Sequence, residues 1–533
     1  MAKEASTTIK DRFTKWDTGR NSHLERCRKC SELTIPSLIP PKDYDENDPL
    51  PTPFQSLGAR CVNNISSKLL LTMLPPNTPF YKYNAPSALV EEISRKKGEE
   101  GFKTEVEKKL RMIEQDIMDY IEAEGHRSPF YKVLRLLVVS GNVLLEMPKE
   151  GTLKVHRLDK YVTRRDPAGK AIEIILREYI DKIQVPDGID IEKITTEHTK
   201  QHIKKLIGLY TRAYKDKKGM WHMSQEISGQ VVPDSVGTFT EEDMPFLALS
   251  INQVEGEDYG RGHVEEYLGD LISLESLMQS IIEGSAAAAR ILFLVKPGGV
   301  TDWKQVRKVR NLAAIPGRKD DIETLQIDKL SDFKIAYDVI TQLNDRLSRA
   351  FLLNDSVQRN AERVTATEIQ YMAQQLENAM GGIYTTLSQD LQRPYLIKVV
   401  NQMKQKKLFN SGLPVELTLT MTTGFEALGR GHELTKLDAL LDRLTKFLPG
   451  DMLFSILGKQ EVKVLIDKYS TALGVDTLGW VPSKEKIEQD EEQAQMMGQL
   501  KQMMDNPAIQ DMMKQAGPEG LAKATQAAQG VAQ

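Results

Sequence analysis

Cys27 and Cys30 are separated by two residues, the spacing of a zinc half-site or a redox dithiol. A zinc site needs further ligands, and no second Cys-x-x-Cys follows. The pair lies in a charged helical run, HLERCRKCSEL, and chance helix positions account for it. The eight histidines are scattered without ligand spacing, so no metal is expected. Phosphate chemistry is equally absent, because no GxxxxGK[ST] loop occurs. Gly260-Arg261-Gly262 lacks the third glycine of a dinucleotide loop and reads as a loop leading into a helix. Gly431-His432-Glu433 is not a zinc-protease motif, since Lys436 stands where the second histidine belongs. No GxSxG exists. Ser331-x-x-Lys334 and Ser94-x-x-Lys97 match SxxK without its companion motifs. No catalytic residue and no cofactor are expected, which favours a structural or binding role.

Two polar constellations remain. The stretch Asn354–Val364, NDSVQRNAERV, has almost nothing to bury. Arg359 and Arg363 suit contact with phosphate, or ion pairing to Asp355 or Glu362 of a neighbouring copy; both readings stand. Asn354, Gln358 and Asn360 either line a passage as neutral groups or cap adjacent helices. The second is a basic cluster of Lys304, Arg307, Lys308, Arg310, Arg318 and Lys319. It reads as a partner surface or as a solvated face.

Long helices must hold the polar loop. A helical pattern runs from Ser331 to Leu353 before it, and a longer one from Thr365 to Leu408 after it. The second opens on the capping signal Thr365-Ala-Thr-Glu368. Gly381, Gly382 and Pro394 inside it are expected kinks. A third helix, His263–Ala289, carries an apolar stripe from Val264 to Ile282 and is roughly 40 Å long. Its other face carries Glu265, Glu266, Asp270 and Glu275. Upstream, a charged helix over 5–33 gives way to a proline- and acid-rich arm ending at Pro53. Helices follow over Phe54–Leu74 and 88–124, then one capped by Ser128 that ends at Ser140-Gly141. From there the period falls to two. Residues 142–252 read as an antiparallel β region with turns at Asp166–Gly169 and Lys217–Gly219, and a short helix over 188–206. ILFLV (291–295) and 415–425 read as further strands, and helices are expected over 430–447, 451–456 and 460–471. The Gln-, Met- and Ala-rich stretch from Ser483 reads as helices packing on partner copies and fraying into a disordered end.

The chain has 533 residues, room for several domains, with 40% hydrophobic and 27% charged residues. Its net charge of −4 argues against a dedicated high-affinity nucleic-acid binder. That charge leaves open a protein past which nucleic acid slides. No apolar run reaches the ~18 residues that span a bilayer, and the N-terminus lacks a signal-like apolar stretch. Asn64-Ile65-Ser66 matches a glycosylation acceptor, which has no meaning without a secretory route. Three cysteines give no disulfide framework and suit a reducing compartment.

Longer matches run along nearly the whole chain. CSELTIPSLIP (30–40), TPFQSLGARCVNNISSKLLL (52–71), LLVVSGNVLL (136–145), DYGRGHVEEYLGDLISLESL (258–277), LNDSVQRNAERVTATEI (353–369), GGIYTTLSQDLQ (381–392) and TTGFEALGRG (422–431) closely resemble the portal proteins, or head-to-tail connectors, of T7-like short-tailed bacteriophages. The resemblance implies an α+β, mainly helical portal fold. It assigns 1–53 to an N-terminal helix and arm, 54–258 to an α/β wing and 259–289 to the first stem helix. A clip over 290–330 and a second stem helix over 331–353 follow. It then implies a tunnel loop over 354–364, a kinked spine helix over 365–408, a wing return strand over 409–430, a crown over 431–482 and a barrel helix with tail over 483–533. Twelve copies would ring one capsid vertex of the virion, assembled in the host cytoplasm, and double-stranded DNA would pass through during packaging and ejection. The implied partners are the major capsid protein, scaffolding protein, the terminase large subunit, a tail adaptor and internal core proteins, with no membrane. In that setting Glu265, Glu266, Asp270 and Glu275 line the bore or pair between helices. The other classes are a nucleic-acid enzyme with divergent motifs (a nuclease or packaging ATPase) and a tail adaptor or scaffold.

Overall fold

The chain divides into two compact units, Met1–Leu428 and Gly429–Gln533. The structure, a computed structural model, describes residues 8–45, 47–76, 79–84, 102–148, 152–190, 197–198, 205–288, 292–306, 308, 316–325, 330–353, 375–376, 382–408 and 418–421, all in the first unit. The expected crown, barrel and tail, 431–533, lie outside the described residues, as does the first part, 88–101, of the helix expected over 88–124.

The helix expected over 5–33 is two, α1 (Ile9–Gly19) and α2 (Asn21–Glu32). Thr8 caps α1 by accepting from the Asp11 amide. Gly19 weakens its end, and Arg20 leaves the helical conformation at φ −103° and ψ 12°. α1 lays Ile9 and Phe13 on Val162, Ile175 and Tyr210 of the large sheet. α3 (Leu57–Met73) follows the arm, with Cys61, Val62, Ile65, Leu69 and Met73 buried at helical spacing. Gln55 caps it from outside the helix: its Oε1 accepts from the Gly58 amide and its Nε2 donates to the Leu33 carbonyl. β1 (Tyr81–Asn84) and α4 (Phe102–Ala123) come next.

Ser128 is not a cap. α5 spans Arg127–Ser140, and His126 occupies the N-cap position without a side-chain cap. The His126 carbonyl already accepts from Phe130, so the helix starts earlier and Pro129 falls in its first turn. α5 stops at Gly141, whose φ of +72° suits a residue without Cβ.

Among the described residues all strand pairs are antiparallel, as the alternating pattern predicts. β2 (Asn142–Glu146), β3 (Lys154–His156), β4 (Tyr161–Arg165), β5 (Ala171–Ile180), β6 (Glu197–His198), β7 (Lys205–Lys215), β8 (Trp221–Ile227), β9 (Gln230–Val231), β10 (Gly237–Phe239) and β11 (Phe246–Ser250) form two sheets. The larger runs β10-β8-β7-β5-β4, with β6 beside β7 and β9 beside β8; the smaller runs β11-β2-β3. The Asp166–Gly169 turn joins β4 to β5, closed by the Gly169 amide on the Asp166 carbonyl at 2.9 Å. Where a helix was expected over 188–206, Glu197 and His198 pair with Leu206 and Lys205 as strand. The β-branched run Ile194-Thr195-Thr196 disfavours helix there.

Where the chain passes from β11 to the next helix, three glycines pack against backbone. A Cβ on Gly141 would lie 2.3 Å from Arg261, on Gly260 2.0 Å from the Ile251 oxygen, and on Gly262 2.3 Å from the Val139 oxygen. Asn142 bolts the crossing, donating to the Gly260 carbonyl and accepting from the Gly260 amide. The expected helix His263–Ala289 then breaks at Tyr267 into α6 (His263–Glu266) and α7 (Leu268–Ala288). β12 (Leu292–Val295), α8 (Trp303–Val306) and β13 (Ile322–Leu325) make the small 290–330 section, with β12 paired to β13. α9 (Leu330–Ala350) returns. Beyond 382 come α10 (Ile383–Leu387), a π-helical turn (Ser388–Gln392) and α11 (Arg393–Gln405); β14 (Thr418–Met421) pairs with β1. One core reaches from α2 through α3, α5 and β2 to Leu347, Leu391 and Leu396.

Candidate functional site

The helix pair α7 and α9 is the frame of the site. Leu271 and Leu274 of α7 and Ile340, Leu343 and Leu347 of α9 are buried. The helices approach closely at Gly284, where an added Cβ would meet the Phe333 ring at 2.9 Å. The Arg346 guanidinium lies 3.1 Å from the Asp270 carboxylate across the pair. Other large apolar side chains face outward: Ile272 is 44% exposed, Ile282 45%, Ile335 65% and Tyr337 65%.

Beneath the pair, His263, Tyr267 and Phe351 form a three-ring cluster with centroids 5.0 to 5.4 Å apart. Burial lowers the His263 pKa, and Glu266, whose carboxylate is 3.4 Å away, offsets part of that. The four acids expected on one face have separate places. Glu265 pairs with Arg26 at 3.2 Å and Arg261 at 3.1 Å. Glu266 accepts from Asn252 at 3.0 Å. Asp270 makes the interhelical pair. Glu275 accepts from the Phe54 and Gln55 amides at 2.8 and 3.3 Å, ahead of α3.

α9 ends where α3 passes. Asn64 Nδ2 donates to the carbonyls of Phe351 and Leu352 at 3.0 and 2.8 Å, and Lys68 Nζ donates to the Leu352 carbonyl at 2.5 Å. The polar loop begins two residues later. Asn354, Asp355, Gln358, Arg359, Asn360, Glu362 and Arg363 all lie outside the described residues.

In the small section, Lys304, Lys308, Arg318 and Lys319 are exposed, and Arg307 and Arg310 lie outside the described residues. Asp321 organises it: Thr301 donates to its Oδ2 from both amide and hydroxyl. The expected helix over 365–408 is interrupted. Gly381 lies outside the described residues, while Gly382, at φ +89°, starts α10 afresh. Pro394 sits in the first turn of α11, directly after the π turn. A proline lacks the amide that a regular helix needs there, and the wider turn absorbs the defect.

Cys27 and Cys30 are buried on α2, and Cys61 on α3. Burial pushes the Cys27 and Cys61 thiols up to about 12, and Cys30 likewise upward, so none is a thiolate at neutral pH. Among the described residues one mixed group, Glu146, His156 and Glu178, brings donor atoms within 4.8 Å of one another. Sequence spacing missed it because its members come from β2, β3 and β5. His156 Nε2 and Glu146 Oε2 are 2.7 Å apart, a hydrogen bond. Ligands around one zinc ion stand farther apart, about 3.3 Å for tetrahedral bonds of this kind. A cleft of about 560 Å³ beside α1 and α2 is lined by Arg20, Arg26, Arg164 and Arg261. Asp17, Glu265, Asp258 and Glu257 already pair with these arginines.

A helix pair, a small basic section and a helix-braced loop base fit a connector better than a substrate pocket. A family model described as bacteriophage head to tail connecting protein matches residues 6–478. The chain belongs to this head-to-tail connector family. The connector is 34% identical to the portal protein of Escherichia phage T7, over 98% of this chain and 97% of that one. It is also 34% identical to the portal protein of Enterobacteria phage T3, over 90% of this chain and 88% of that one. A solved chain from the neck of a native gene transfer agent particle covers 75% of the connector and 89% of its own length, at 12% identity and a TM-score of 0.33.

Proposed function

We propose that the connector is a structural portal: a ring at one capsid vertex whose channel passes double-stranded DNA during packaging and ejection, without catalysis of its own. The likeness to phage portal proteins over nearly the full length of both chains carries this reading. The outward apolar side chains of α7 and α9 support it, because neighbouring copies would cover Ile272, Ile282, Ile335 and Tyr337. Head-to-tail contacts of that kind close into a ring when the rotation per copy closes. Twelve copies are proposed from the resemblance.

The 354–364 loop is proposed to face the channel, with Arg359 and Arg363 touching phosphate or bracing the next copy. Glu266, the most exposed of the four, is the acid best placed to repel DNA, since Glu265 is paired with Arg26 and Arg261, Asp270 with Arg346, and Glu275 with the amides ahead of α3. Lys304, Lys308, Arg318 and Lys319, with Arg307 and Arg310, are proposed to meet the packaging motor and later the tail adaptor. Capsid, scaffolding and internal core proteins complete the proposed partners, in the virion and in the host cytoplasm during assembly.

Image averages of purified protein test the proposal. A ring with a continuous central hole and a wide crown is expected; a monomer, a solid disc or a short collar would sink it. ATPase or nuclease turnover abolished by a point mutation would also overturn it.

A further inference from the structure

Glu146, His156 and Glu178 come from three strands of two sheets. Glu146 ends β2, the middle strand of the smaller sheet, opposite Phe246 on one side and Lys154 on the other. His156 ends β3, the next strand of that sheet. Glu178 lies on β5 of the larger sheet, opposite Leu209 of β7. Their donor atoms nevertheless lie within 4.8 Å of one another. The His156 and Glu146 side chains are only 12% and 15% exposed. Two carboxylates held this close and largely out of water repel each other unless positive charge stands between them. The charge at hand is small. Lys154 Nζ lies 3.8 Å from Glu146 Oε1, and its side chain is 55% exposed, so water screens it. Glu178 makes no hydrogen bond or ion pair among the described residues. Two carboxylates and one imidazole form a donor set for a divalent transition metal: imidazole suits zinc, and the carboxylates balance its charge.

We propose that Glu146, His156 and Glu178 hold one divalent transition-metal ion of the zinc type, which ties the smaller sheet to the larger. The 2.7 Å hydrogen bond between His156 Nε2 and Glu146 Oε2 is the same contact with a proton in the middle. The ion takes the place of that proton. Nε2 then binds through its lone pair, with the ring proton on Nδ1. Ligand atoms on one tetrahedral zinc ion stand about 3.3 Å apart, so the two groups separate by about 0.6 Å. A small rotation of the long Glu146 side chain covers that distance without moving a strand. Strand pairing holds all three backbones, so the ligands start near their bound places. Three protein ligands leave a fourth position to water. Because the three residues meet only in the folded chain, binding stabilises the fold. The site stands whether or not the portal reading does.

Calorimetric titration of the full-length, chelator-treated protein with zinc chloride tests the site. Wild type is expected to bind a zinc ion whose affinity Glu178→Gln weakens by at least about a hundredfold, the upper range for loss of a mere outer-shell partner. Zinc should raise the melting temperature of wild type and leave that of Glu178→Gln unchanged. His156→Gln should behave as Glu178→Gln does. If His156→Gln fails to fold, Glu178→Gln decides alone, since it keeps the size of the side chain and breaks no hydrogen bond among the described residues. Magnesium chloride should give no such binding, because imidazole is a poor magnesium ligand. Cobalt chloride gives a second readout: visible absorption of a four-coordinate ion in wild type, lost in Glu178→Gln. Wild type that binds no zinc would overturn the proposal. So would zinc affinity unchanged in Glu178→Gln, which places the ion elsewhere on the chain, or magnesium binding as tight as zinc binding.

Discussion

His23 and His126 are buried imidazoles whose pKa values burial lowers from 6.5 to about 4. His126 shares a 2.8 Å hydrogen bond with the Tyr395 hydroxyl and stands edge-on to Tyr120 and Tyr395. Because the folded state disfavours the charged ring, the contribution of each is fully present above pH 6.5 and is lost as pH falls through to about 4. Thermal unfolding scans should therefore show the melting temperature dropping across that window, with a shallower drop in His126→Phe. An equal drop in that variant would remove His126 from the account. Lys398 works in the opposite range. Its ammonium donates to the carbonyls of Glu241, Glu242 and Met244, and burial lowers its pKa to about 8. The folded state loses that proton first, so this group's contribution rises between about pH 8 and 10.5. In the loop, Arg359→Glu or Arg363→Glu should leave rings assembled and impair DNA packaging or retention. Normal packaging by both variants would strike them from the proposed site. Residue types alone told that the Cys27-x-x-Cys30 spacing lies on a helix. They could not tell that Glu275 caps the arm before α3, because that contact joins positions 54 and 275.

At the scale of elements, α7 and α9 bury an apolar stripe against each other and leave further apolar side chains exposed beside it. Leu347 belongs to the stripe and is fully buried, so Leu347→Ala should cost about 3 kcal/mol in denaturant unfolding. Ile335 and Tyr337 stand on opposite flanks of the buried stripe of α9, each 65% exposed. Charge on either flank, as in Ile335→Asp or Tyr337→Asp, should leave monomer stability within about 0.5 kcal/mol while native mass spectrometry shows lost or smaller rings. Full-size rings in both would refute these flanks as the contacts between copies. Hydrophobic period located α3 and α9 closely, because each buries one continuous stripe. It missed the breaks at Arg20 and Tyr267, where the stripe continues although the backbone turns. It also missed the π turn before Pro394, since a proline signals a fault in the helix and not the form the repair takes.

Across the described residues, the order of helices, antiparallel strands and helix pair was legible because the apolar period changes from helical to alternating at Gly141. The partition of strands into two sheets was not, since β11 pairs with β2 across a separation of about a hundred residues and no local pattern encodes that choice. The resemblance supplied what periodicity does not, the ring and its cargo. The crossing of Gly141, Gly260 and Gly262 ties the junction of α5 and β2 to the start of α6 at three positions with no room for a Cβ. Two main chains bear directly on each other there, held by both ends of the Asn142 amide. Pull or push along α6 would reach β2 as through a welded joint, with little slack to dissipate the load.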